Sequence, residues 1–384
     1  MKKYVSVFVL LLLLTACSKD ETPRDVELKP AEYSDLQGFD RDDMLGAYKA
    51  FLAGCEKIAD QKGKWLSDAE IKIDRKDYVK VCDAARWILP SKFREFVKEN
   101  FKPWLVTYQG EQNGKFTAYY EAEVRASYQR NDTYKYPIYG VPYDLVKINL
   151  KDFDETLPNK TLIGRVENGK LIPYYTRAEI SQKGLHAPVV LWADSEIDIY
   201  IMQIQGSALA YLPDNSTIRI AFAESNGHPF KGIGSILLSK GLLEKNKASM
   251  GSIKKWLMEN KGLATANMNE NPRYIFHQLG NPEGPIGALG VPLTAGRSLA
   301  VDKSYIPLGA LLWLETETPD GAELNKMVAA QDVGSAIKGA VRGDYFWGSG
   351  SDDVLEEAGK MNSVGKYYIL IPNHKEDTNA KAYK

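Results

Sequence analysis

Gln331–Gly350 reads QDVGSAIKGAVRGDYFWGSG, and it decides more about this chain than any other stretch. Two aspartates, Asp332 and Asp344, stand in a segment dense with glycine, which reads as a loop. Asp344 is followed at once by Tyr345, Phe346 and Trp347. A carboxyl group set against aromatic surface loses hydration of its charged form, so its pKa rises and it can hold a proton near neutral pH. Such an acid is what departure of a poor leaving oxygen, as in a glycosidic bond, requires. The same residues also fit a turn in which the aspartate caps backbone and the aromatics fill a core.

Outward from that stretch the β pattern continues. Strands are expected at Ser298 to Val301, Leu308 to Leu314, Met327 to Gln331 and Gly365 to Ile371, with Tyr274 to His277 before them. Further upstream, Phe116 to Tyr120, Tyr136 to Tyr139, Val189 to Trp192 and Ile197 to Ile204 also read as strands. Helical spacing marks Arg41 to Ile58, Asp77 to Leu89, Ile233 to Leu243 and Ser252 to Asn260, and Pro90 breaks the second of these. Thr176-Arg177-Ala178-Glu179 has the form of a helix capping box. The expected class is mainly β with flanking helices, α+β, with two β units, one inserted in the other.

Met1–Ala16, MKKYVSVFVLLLLLTA, has the two lysines, apolar run and small residues of a secretory signal, and is too short for a stable membrane span. The following Leu14-Thr15-Ala16-Cys17 resembles the lipobox of bacterial lipoproteins. By that resemblance Cys17 is lipidated, and Ser18 after it points to the outer membrane. Residues 17–40, polar and with Pro23 and Pro30, read as a tether. The chain has 384 residues, with 49 Lys and Arg against 50 Asp and Glu. Loss of Lys2 and Lys3 with the signal moves the net charge from −1 to −3, so no nucleic-acid footprint is present. Cys55 and Cys82 could pair in an oxidising compartment or remain buried thiols. His186, His228, His277 and His374 are scattered, without metal-ligand spacing, and no metal or cofactor is expected.

Five segments and a C-terminal module together resemble the membrane-bound lytic murein transglycosylase A family. VDKSYIPLG, QDVGSAIKG and RGDYFWG carry Asp302, Asp332 and Asp344 and resemble that family's C-terminal 3D module, about 297–372. Upstream, FTAYYEAEV (116–124), YPIY (136–139), TRAEI (176–180), IMQIQGSA (201–208) and SNGHPFKGIG (225–234) follow in the family's order. Val333, Ser335 and Ala118 depart from its usual residues. The resemblance implies a double-psi β-barrel, 41–123 plus 226–384, a smaller inserted β-domain, 124–225, and a groove between them for a glycan strand. It implies cleavage of the β-1,4 bond between N-acetylmuramic acid and N-acetylglucosamine in peptidoglycan, without water and with closure of a 1,6-anhydro ring. Asp344 would be acid and then base, Asp332 its support, and Asp302 either further support or structural.

Thr117 and Tyr119, which alternate onto one strand face, and Gln205, Gly206 and Ser207 are the expected glycan contacts. Lys338 could approach a muropeptide carboxylate or be a solvated loop lysine. Protein partners in a wall-remodelling complex are compatible with such a role. Ser335-Ala336-Ile337-Lys338 has the S-x-x-K form of penicillin-binding serine enzymes, but so do Ser252 to Lys255 and Ser363 to Lys366, and no Lys-Thr-Gly accompanies them. The stronger alternative is a lipoprotein that binds peptidoglycan without cutting it.

Overall fold

Gly114–Ser127, rich in aromatic and β-branched residues, forms a strand of 14 residues that runs through both halves of the molecule. The computed structural model describes residues 26–244, 249–281, 283–350 and 352–373. The signal segment, Cys17 and His374 lie outside the described residues.

The first half of Gly114–Ser127 pairs in parallel with Arg342–Ser349 and antiparallel with the start of Asn362–Pro372. Arg342–Ser349 pairs antiparallel with Ser298–Val301, which pairs in parallel with Glu323–Asp332. Glu323–Asp332 pairs with Leu311–Glu317, and that strand pairs with Asn362–Pro372. The pairings of these six strands therefore return to the strand on which they began. Strands buried on both faces should read as continuous apolar runs, and Leu311 to Leu314 and Leu299 to Val301 do.

Three helices cover this unit: Met44–Ala59, Arg75–Ala85 and Phe93–Asn100. The first two begin where Asp43 and Asp74 accept backbone N–H groups. Phe51, Tyr78, Phe93 and Phe101 meet there with ring centroids 5.6–6.0 Å apart. Cys55 and Cys82 form a disulfide between the first two helices.

The second half of Gly114–Ser127 pairs with Ala208–Tyr211 and, at its end, with Val189–Ala193. Thr217–Ser225 and Ile275–Leu279 extend that sheet, and Tyr136–Tyr139 pairs with Val189–Ala193. Val146–Asn149, Thr161–Glu167 and Lys170–Pro173 form a separate three-stranded sheet.

Several expectations change. Ile197 to Ile204 is helical, within Glu196–Gln205, although its alternating isoleucines suit a strand. Ser195 caps it, and Ile197, Ile199, Tyr200, Ile201 and Met202 are all buried, so packing overrides propensity. Residues 331–350 are not simply a loop, because Arg342–Ser349 is a strand inside the six-strand circuit. The tether does not reach residue 40: Val26–Pro30 pairs with Phe101–Tyr108, and Leu36 and Phe39 are buried. The expected domain boundary at 225/226 does not follow the packing either. Ile275–Leu279 belongs to the second sheet, and Ile236, Leu257 and Ala358 share a core with Val124 and Leu191.

Candidate active site

Parallel pairing places Asp344 opposite Thr117 across two neighbouring strands, with Ala300 on the other side of Asp344. Ala300 also pairs with Asp332, so both carboxylates flank one short strand. Within Arg342–Ser349, alternation puts Arg342, Asp344 and Phe346 on one face. Tyr345 belongs to the other, its hydroxyl donating to the Gly296 carbonyl at 2.9 Å. Of the three aromatics expected around Asp344, only Phe346 shares its face, and its ring packs on Tyr119 at 5.2 Å. Gly343 is required between them: a Cβ there would lie 2.8 Å from the Phe116 ring and 3.0 Å from Leu299.

Asp344 is half-buried, and the Thr117 hydroxyl donates to its Oδ1. Burial raises its pKa, against the opposing influence of the Thr117 hydrogen bond and of the positive charges of Arg342 and Lys115. Asp332 is held differently. Tyr119 donates to Oδ2 at 2.8 Å and the Ala288 N–H to Oδ1 at 2.9 Å, so each oxygen has a donor. Burial raises its pKa too; the bonds from Tyr119, Val333 and Ala288 work against this, and the charge of Asp344 adds to it. Of the pair, Asp344 is the carboxyl with an oxygen left uncommitted: among the described residues only Thr117 bonds to it.

Asp302 is 4% exposed and takes no part in this pair. Its Oδ1 accepts from the Ser304 N–H at 3.1 Å and its Oδ2 from the Gly339 N–H at 3.0 Å, which pins the loop leading to Arg342. Thr117 and Tyr119 share a face as expected, but their hydroxyl hydrogens are committed to the aspartates rather than free for a sugar. Gln205 ends a helix rather than a strand and accepts from the Tyr120 N–H at 3.2 Å. Gly206 caps that helix with φ 96°, and a Cβ there would meet nothing within 4 Å. Ser207 follows, half-buried, ahead of Ala208–Tyr211. Lys338 is exposed.

Asn226 of the SNGHPFKGIG segment is structural: its side chain bonds Tyr175, Pro272 and Tyr274. Arg342 was not singled out from the sequence, though its place two residues before Asp344 gives it the same strand face. A cavity of about 1120 Å³, lined in part by Tyr120, Arg125, Tyr136, Asp194 and Lys254, lies along the other half of the long strand and includes neither aspartate. No group of three or more His, Cys, Asp and Glu that could hold a metal occurs among the described residues.

The carboxyl pair, with its unequal hydrogen bonding, sits on a mixed fold built mainly of strands. The model of the MltA specific insert domain matches residues 115–278 and that of the 3D domain residues 297–371. That of the prokaryotic membrane lipoprotein lipid attachment site matches residues 1–18. The membrane-bound lytic murein transglycosylase A of Vibrio cholerae serotype O1 is 29% identical over 268 residues, 67% of this chain and 65% of its own length, just under two thirds. The crystal structure of MltA from Neisseria gonorrhoeae, 31% identical, covers 92% of this chain and 94% of its own with a TM-score of 0.79. The membrane-bound lytic murein transglycosylase from Agrobacterium tumefaciens, 29% identical, covers 90% of this chain and 98% of its own with a TM-score of 0.78. The chain belongs to the lytic murein transglycosylase A (MltA) family.

Proposed function

We propose that this chain cleaves peptidoglycan glycan strands as a lytic transglycosylase, with Asp344 as acid and then base. The observation that carries this reading is the asymmetry of the two carboxyls: burial raises the pKa of both, yet Asp344 has one oxygen committed to Thr117 and one open. Asp344 gives its proton to the glycosidic oxygen as the bond to C1 of the muramic acid breaks. It then takes the proton of the C6 hydroxyl, whose oxygen bonds C1 and closes the anhydro ring. The carboxyl is regenerated and no water is consumed. Asp332, anchored through both oxygens, orients Tyr119 and contributes negative charge beside the developing cation.

Three further readings accompany this one. The circuit of six strands, with its two parallel pairs, supports closure as a double-psi barrel. Gln205, Gly206 and Ser207, at a helix end bordering open space, are proposed to contact the glycan. Cys17 is proposed to carry lipid and hold the protein on the periplasmic face of the outer membrane.

Incubation of the detergent-solubilised full chain with murein sacculi, followed by mass spectrometry, tests the reaction. Anhydro-muropeptides are expected. Reducing ends instead mean a hydrolase, and intact sacculi with bound protein mean a binding lipoprotein. Cys17→Ala should keep the activity and leave the membrane fraction; a variant that still sediments with membrane overturns the anchor.

A further inference from the structure

Arg342 shares the strand face of Asp344, and the mechanism above leaves it without a role. It is half-buried, and its Nη2 donates to Thr117 Oγ1 at 2.7 Å. Its Nη1 donates to the Lys115 carbonyl at 3.2 Å and to the Gly343 carbonyl. A guanidinium never accepts a hydrogen bond, so at the Arg342 contact Thr117 Oγ1 can only be the acceptor. A hydroxyl has a single hydrogen, and here Asp344 Oδ1 is the partner left for it. We infer that Arg342 is a positioning residue for the proposed acid: by fixing the Thr117 hydroxyl as donor to Oδ1, it leaves Oδ2 of Asp344 to carry the transferable proton.

Direct contact between the guanidinium and the carboxylate would have had the opposite effect. A bidentate ion pair occupies both oxygens and holds them ionised. Interposing one hydroxyl keeps the positive charge near enough to orient and far enough to leave an oxygen free. The other charged or titratable groups around Asp344 are Lys115 and Tyr119 on the paired strand and Asp332 beyond Ala300; Tyr367 lies beside Arg342. Ser298–Val301, the strand on the other side, brings no titratable side chain. Arg342 is therefore the charge whose removal acts on Asp344 through the Thr117 hydroxyl.

This inference rests on Asp344 being the acid. Its test is the pH profile of anhydro-muropeptide release by the full chain and its variants. Arg342→Gln should lower turnover about tenfold, the loss expected for one charged hydrogen bond. It should also move the alkaline limb to higher pH, because a positive charge that favours the carboxylate is gone. Thr117→Val should do the same and Thr117→Ser should restore both. In the Thr117→Val background, Arg342→Gln should cost less than about twofold more, since it acts through the missing hydroxyl.

An alkaline limb that stays in place in both Arg342→Gln and Thr117→Val overturns the inference, as do turnover losses that multiply fully. Asp344→Asn separates the two levels of failure. If that variant is inactive while the limb does not move, only the positioning role falls; if it remains active, the reading of Asp344 as acid falls with it.

Discussion

Two carboxylates beside the same long strand behave as opposites. Glu121, fully buried, faces Arg219, whose Nε reaches both its oxygens at 3.1 and 3.2 Å, and Ser349 donates to it as well. Asp344, a few residues back along the paired strand, meets its arginine only through the Thr117 hydroxyl. Asp42 repeats the first pattern, with Arg297 bidentate at 2.6 and 2.8 Å and Lys326 beside it. A carboxylate paired directly with guanidinium has its oxygens occupied, so it serves the fold. One hydroxyl inserted into the same arrangement leaves an oxygen of Asp344 open. On the proposed reading, what separates the structural carboxylates from the acid is the length of the contact chain, not burial alone.

The sharpest break of this comparison is Asp344→Asn. An amide cannot donate and then reclaim the proton, so anhydro-product release should fall about 10³-fold or more. The variant should not lose stability. A carboxyl whose pKa is raised in the fold favours folding below its unfolded value of about 4 and loses that advantage as pH rises through the folded value. The amide escapes this cost, so the melting temperature should rise by about 2 °C at pH 7 and not at pH 3.5. Near wild-type turnover, read by mass spectrometry of released muropeptides, would remove Asp344 from the chemistry.

Glu121→Gln should show the reverse. It takes the negative charge out of the contact with the largely buried Arg219 guanidinium and should destabilise the protein by about 3 kcal/mol in urea unfolding, while the folded fraction keeps its activity. A variant that melts normally but turns over slowly would place Glu121 in the site and erase the contrast. Smallest is Tyr119→Phe, which takes the donor from Asp332 Oδ2 and should slow turnover by about tenfold or less without changing the product. Unchanged kinetics would mean that Asp332 needs no orientation from that side.

Much of this arrangement was legible from the sequence. The sequence singled out Asp332 and Asp344, which the fold brings to either side of one short strand, and alternation placed Thr117 and Tyr119 on one face. The helices at Met44–Ala59 and Arg75–Ala85 followed their apolar periodicity. The misread elements share a cause. In Ile197 to Ile204 every apolar side chain is wanted by the surrounding core, so burial chose a helix against local preference. In Arg342–Ser349 two glycines hide a strand whose neighbours need backbone close together, as the Phe116 ring against Gly343 shows. The resemblance left Asp302 as further support or structural, because sequence does not reveal that the Ser304 and Gly339 N–H groups occupy its two oxygens.

Local chemistry along the chain determined which residues could give and take protons, which faces of strands and helices would be apolar, and that a lipid-attachment motif precedes the domain. Folding decided which carboxylate keeps an open oxygen. That depends on donors brought from Thr117, Tyr119, Ala288 and Arg342, residues up to 227 positions from their partners, and hydrogen-bond occupancy is a property of distance in space rather than of order along the chain.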